Sequence, residues 1–294
     1  MKVSGFLSSS LIFATTGVLA EPTLERGAYL VEWPAACGNC YSPMGPEGPL
    51  PDMHLAGRLV GETPEFTAIA PNITPASRVS EWSDAELARA IREGIRPDGS
   101  VIGPPMPVPL YRGLSDEDVM SMVIYLRQVP AVENDPGESR YDIPLPQSYG
   151  QPVESASAPD RGAPVEYGAY LAGPVAHCIE CHSPIGPQGP MTDTLSGAGG
   201  FEFHGPWGTV ISPNITSGEN GVAEYSDENL KTMITQGLRP DGERMSPPMP
   251  YANYAKMTEE DLDAVIAYLR QLPPLPDGAG LEWRRKQTVG LIPC

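Results

Sequence analysis

Residues 178–182 read Cys-Ile-Glu-Cys-His, and residues 37–41 read Cys-Gly-Asn-Cys-Tyr. How these two short strings are read decides the fold, because the sequence around them occurs twice. GAYLVEWPAACGNCYSPMGPEGP (27–49) matches GAYLAGPVAHCIECHSPIGPQGP (168–190). WSDAELARAIREGIRPDG (82–99) matches YSDENLKTMITQGLRPDG (225–242), and LSDEDVMSMVIYLRQVP (114–130) matches MTEEDLDAVIAYLRQLP (257–273). Between them, Pro-Asn-Ile-Thr recurs at Asn72 and Asn214, and Pro-Pro-Met-Pro at Met106 and Met249. A repeat this long means two copies of one fold rather than a solenoid, whose periods are about 20–50 residues.

Each copy reads as three helices separated by long loops. The first carries Gly-Ala-Tyr-Leu and leads into the cysteine string. The second starts at Ser83 or Ser226; Ser83 and Glu86 make a capping box, and Trp82 can staple onto Leu87. Leu87, Ala90 and Ile91 then share one face at helical spacing. The third starts at Ser115 or Thr258, with Asp118 or Asp261 three residues on, and Pro130 or Pro273 stops it. Tyr125 and Tyr268 read as core. The expected class is all-α: a first copy at 21–130, a proline-rich linker at 131–165, a second copy at 166–274 and a tail at 275–294.

Residues 1–20 have one lysine, an apolar run from Leu11 to Leu19 and small residues before Glu21. That is the pattern of a cleaved signal peptide, which implies export to the periplasm. The run is shorter than the roughly 20 apolar residues a membrane span needs, so no span is expected. The 294 residues include 31 glycines and 35 prolines. Such loop-rich domains need extra core, which a large apolar cofactor supplies. The net charge of −18 argues against nucleic acid and favours basic protein surfaces or simple solubility.

Cys-x-x-Cys-His is the attachment signature of c-type haem: two thioethers to the porphyrin and a histidine aimed at the iron. Cys178, Cys181 and His182 satisfy it. A thioredoxin-type redox pair would want a βαβ setting, and a zinc site would need a second ligand pair nearby. Met249, stiffened by flanking prolines, is the candidate sixth ligand, and a His/Met pair raises the haem potential. Met106 is its counterpart. Met233, Met245 and Met257 read as core filler.

The string from Gly-Ala-Tyr-Leu through Cys-x-x-Cys, Pro-Asn-Ile-Thr, Arg-Pro-Asp-Gly and Pro-Pro-Met-Pro to Tyr-Leu-Arg-Gln-Leu-Pro resembles the cytochrome c subunits of bacterial periplasmic alcohol, gluconate and nicotinate-type dehydrogenases. The resemblance implies tandem class I cytochrome c domains and haem c as cofactor. It marks Cys178, Cys181, His182 and Met249 in the second copy, and Cys37, Cys40 and Met106 in the first. It also implies single-electron transfer from a dehydrogenase partner to a respiratory oxidase, the quinone pool or another cytochrome.

Tyr41 departs from that pattern at the iron ligand itself. Three readings stay open: Tyr41 ligates as phenolate, as tyrosine does in catalase; haem attaches with an open position; or no haem attaches. His54 is a conceivable substitute ligand. Matching these are three functions: an electron carrier; a haem enzyme of peroxidase or thiosulfate-oxidising type; and a single-haem carrier whose first copy is a docking module. Arg96 and Arg239 read either as propionate partners or as turn residues. Trp207 is a candidate for the haem edge, His177 and His204 read as exposed, and Asn72 and Asn214 as turn residues. Cys294 is left over, as a free thiol or an intermolecular link.

Overall fold

The computed structural model describes residues 21–278 except Glu47, Gln188 and Pro206; the signal-peptide reading and Cys294 lie outside the described residues. In the first copy the helices are α1 (Leu24–Glu32), α2 (Gly38–Tyr41), α3 (Asp84–Glu93), α4 (Val108–Tyr111) and α5 (Asp116–Leu126). In the second they are α6 (Pro164–Tyr170), α7 (Cys178–Cys181), α8 (Asp227–Gln236), α9 (Tyr251–Tyr254) and α10 (Glu259–Gln271). The expected starts are where the side chains put them. Ser83 and Glu86 form the reciprocal capping box, and Ser115, Ser226 and Thr258 each accept the amide three residues on.

The all-α expectation is wrong. Helix accounts for 35% and strand for 13%, in four small sheets among the described residues. After each cysteine string the repeated Gly-Pro-x-Gly-Pro folds back as a two-residue pairing, β1 (Met44–Gly45) with β2 (Gly48–Pro49) and later β6 (Ile185–Gly186) with β7 (Gly189–Pro190). A second hairpin follows in each copy: β3 (Arg58–Glu62) with β4 (Phe66–Ala70), and β8 (Glu202–Gly205) with β9 (Gly208–Ile211). These strands are short, all but β4 carry glycine, and β3–β4 shifts register between Leu59 and Gly61. They therefore lack the sustained alternation by which strands are read. The linker adds β5 (Arg140–Tyr141) to the edge of β4, so it is a strand partner as well as a connection.

In each copy the first and third helices cross at a glycine. A Cβ at Gly27 would lie 1.9 Å from the Ser121 carbonyl oxygen, and one at Gly168 would lie 1.8 Å from that of Ala264. The last helix is tied back by a repeated arginine: Arg127 donates to the carbonyls of Val79 and Trp82 and to Asp84, and Arg270 to those of Val222 and Tyr225 and to Asp227. Neither arginine stood out in the sequence.

One hydrophobic core runs through both copies, and a reciprocal clasp joins them. The Tyr170 hydroxyl donates to Asp118 at 2.6 Å and accepts from the Ser115 amide at 3.1 Å. The equivalent Tyr29 hydroxyl donates to Asp261 at 2.6 Å and accepts from the Thr258 amide at 3.2 Å. Each copy thus sends a tyrosine from its first helix to the start of the other copy's last helix. Asp118 also takes a two-pronged ion pair from Arg26 at 2.7 and 2.8 Å, with side-chain exposures of 2% and 10%. Asp118→Ala strands a buried guanidinium and a buried phenol, so it should destabilise the protein by about 3–5 kcal/mol. Urea unfolding of the purified protein measures this; a loss below about 1 kcal/mol would show that the pair is not holding the interface.

Candidate functional site

A cavity of about 1500 Å³ extends along both cysteine strings and both Pro-Pro-Met-Pro loops. In the second copy the chain leaves α6 through a π-helical turn, Leu171–Val175, which contains Pro174. It then turns at His177, whose φ of 43° is matched by 46° at Ala36 in the first copy. This puts Cys178, Cys181 and His182 on and just after a single helical turn, all three facing the cavity, with Met249 on its lining. Cys37, Cys178 and Cys181 are free thiols, whereas Cys40 is in a disulfide. Burial pushes the Cys178 thiol up to about 11.

His182 is held in one orientation. Its Nδ1 makes a 2.9 Å hydrogen bond with the Pro213 carbonyl, which fixes the proton on Nδ1 and leaves the Nε2 lone pair free. Burial lowers its pKa, and the bond to Pro213 only partly opposes this, so the ring is neutral at pH 7 as a metal ligand requires. The close approach depends on Gly199, at φ +71°. A Cβ there would lie 2.5 Å from the Pro213 carbonyl carbon, and the Gly199 amide donates back to the His182 carbonyl at 2.7 Å.

The first copy keeps the cradle but changes the occupant. Gly57, at φ +87°, approaches Pro71 in the same way and its amide bonds the Tyr41 carbonyl at 2.6 Å. Tyr41 has no ring N–H to offer Pro71. Its hydroxyl donates instead to the Met106 sulfur at 3.4 Å, so the two residues read as axial candidates touch each other. Burial raises the Tyr41 pKa above the usual phenol range, which keeps it protonated. His54 is not on the cavity wall: its Nε2 pairs with Glu32 at 2.7 Å and its Nδ1 lies 3.4 Å from Ser42 Oγ.

Other residues fall as follows. Arg96 and Arg239 both line the cavity, and Arg96 also bonds Ser100 and the Val101 carbonyl. His177, read as exposed, is half-buried on the cavity wall, edge-on to Tyr111 with ring centroids 6.0 Å apart. Trp207 is exposed and off the wall, and His204, read as exposed, is half-buried. Asn72 and Asn214 are buried turn residues whose side-chain oxygens accept the amides of Thr74 and Thr216. Met245 lines the cavity and Met257 is core. Tyr125 and Tyr268 pack against the core only in part. Pro213 and Tyr111 were missed, since neither residue type carries a signal until its neighbour in space is known.

Residues 165–273 match the family model for cytochrome c. This stretch is a cytochrome c domain. The whole chain is also similar to larger proteins of that kind. It is 27% identical to the fructose dehydrogenase cytochrome subunit of Gluconobacter japonicus and 26% to the cytochrome c subunit of the quinone alcohol dehydrogenase of Gluconobacter oxydans. These alignments cover 91% and 92% of this chain but 58% and 59% of the relatives, so the chain spans about six-tenths of their length. It is 28% identical to a diheme cytochrome c of Cereibacter sphaeroides, covering 90% of this chain and 93% of that one. A cytochrome c domain implies haem c. The second-copy cytochrome c domain fits that group: two free thiols one helical turn apart, a neutral imidazole with Nε2 unclaimed, and a thioether on the same cavity. The first copy does not fit it, because its two axial candidates are bonded to each other.

Proposed function

We propose that this protein is an electron-transfer cytochrome working through one haem c in the second copy, held by Cys178, Cys181, His182 and Met249. The bond from His182 Nδ1 to Pro213 carries the reading, because it presents a neutral Nε2 to the cavity beside two free thiols. Bound there, haem c supplies a one-electron Fe(III)/Fe(II) couple. The chain's own residues do the rest. Pro213 and Gly199 hold the imidazole, so the ligand does not reorient between oxidation states. Met249, between prolines, is held on the cavity wall. Phe201, Phe203 and Tyr254 on that wall keep water away. Arg239 is placed to pair with propionates, which guanidinium geometry suits.

The named relatives support a dehydrogenase as electron donor, with a respiratory oxidase, the quinone pool or another cytochrome as acceptor. Residues 1–20 support export to the periplasm. Among the described residues no helix is long and apolar enough to cross a membrane, and the negative charge favours docking to basic protein surfaces.

The purified exported protein should show a methionine-to-iron charge-transfer band. Met249→Leu should abolish that band and lower the potential by on the order of a tenth of the roughly 0.8 V that axial ligands span. A band and a potential unchanged in Met249→Leu would remove Met249 from the ligand set.

A further inference from the structure

We infer that the first copy takes no haem, kept out by the Tyr41–Met106 contact between its axial candidates and by the disulfide that holds the Cys40 sulfur. The inference rests on the reading of the second copy as the haem domain. It deepens that reading by reducing the chain to a single redox centre.

Three observations carry it. A metal between trans O or N and S donors needs them roughly 4.3 Å apart, from first-row bond lengths of about 2.0 Å and 2.3 Å. The Tyr41 hydroxyl and the Met106 sulfur are 3.4 Å apart. A phenol oxygen reaches further from its Cα than an imidazole Nε2 does. On the same helical turn as the histidine string, it therefore projects past the position a histidine would leave for the iron. Second, the Gly57–Pro71 cradle, whose counterpart orients His182, has nothing to orient in Tyr41. Third, the linker fastens the loop that bears Met106. Tyr141 donates to the Pro104 carbonyl at 2.7 Å and stacks on Phe66 at 5.9 Å, and Tyr149 donates to the Ile102 carbonyl at 2.9 Å. Leu145 and Pro146 line the cavity alongside them. The linker thus contributes apolar wall to the first copy, which lessens its dependence on a cofactor for core.

The first copy keeps a role in this arrangement. Its Tyr111 meets His177 next to the Cys178–Cys181 turn, and its Tyr29 is clasped by Asp261. It forms one wall of the second copy's site.

The test is the intact mass of the exported full-length protein together with its haem-to-protein ratio by pyridine haemochrome, for wild type and Tyr41→His. One haem in wild type, and two in Tyr41→His when it is produced with a thiol reductant that keeps Cys40 out of its disulfide, is the expected result. Two covalent haems in wild type overturn the inference and leave the electron-carrier reading standing. One haem in both proteins overturns the role given to Tyr41. No haem in wild type overturns the reading of the second copy itself, and the inference with it.

Discussion

Gly168→Ala should be among the most damaging single substitutions outside the ligand set, costing at least about 3 kcal/mol, the upper end of what overpacking usually costs. The added methyl would sit 1.8 Å from the Ala264 carbonyl oxygen and 2.9 Å from the Tyr268 Cβ. The first obstacle is backbone, so no side chain can turn aside to make room. The two helices would have to separate, and α6 carries Tyr170 into the clasp and leads through the Leu171–Val175 turn to the cysteines. Gly27→Ala should do the same in the first copy, where the distance to the Ser121 carbonyl is 1.9 Å. Thermal unfolding of the haem-loaded protein reads both, as a fall in the melting temperature of several degrees or more. An unchanged melting temperature in both variants would mean that the helices do not cross where the fold puts them.

The largest effect should come from the thiols. Cys178→Ala with Cys181→Ala is expected to abolish covalent haem altogether and to unwind α8 of the second copy. Haem staining of a denaturing gel tests the first expectation, and far-ultraviolet circular dichroism tests the second. The first copy draws cavity wall from the linker residues Tyr141, Leu145 and Tyr149. In the second copy, Met257, Leu262, Val265 and Leu269 line the pocket beside Cys178, His182 and Met249. Its α8 buries only Leu230, whereas α3 in the first copy buries Leu87, Ala88, Ala90, Ile91 and Glu93. A helix with so little apolar packing of its own depends on the cofactor. Full helical content in the double variant would refute that dependence.

The helices and the second-copy site were legible because their signals are local. Ser83 with Glu86 specifies a helix start within four residues, and Cys178, Cys181 and His182 specify a chemistry within five. The sheets were not legible, because pairings as short as Met44–Gly45 with Gly48–Pro49 offer glycine and proline and no alternating pattern. The clasp stayed hidden for another reason. Asp118 and Asp261 have an adequate local explanation at the third position of a helix, and Tyr29 and Tyr170 look like parts of an amphipathic face. Only the meeting of the two copies gives these residues their partners. His177 was misplaced in the same way, since its burial comes from Tyr111 in the other copy. Tyr41 was visible at once as a departure, but its consequence needed the position of Met106.

The clasp also bears on how the protein responds to dilution. Tyr29 to Asp261 and Tyr170 to Asp118 is the self-complementary pattern by which two identical subunits pair about a twofold axis. Between separate chains such a contact obeys mass action and comes apart as the protein becomes scarce. Here both halves travel on one polypeptide, so their pairing is an intramolecular event whose extent does not depend on protein concentration. The geometry at the Tyr111–His177 contact is therefore the same in a single molecule as in a concentrated solution.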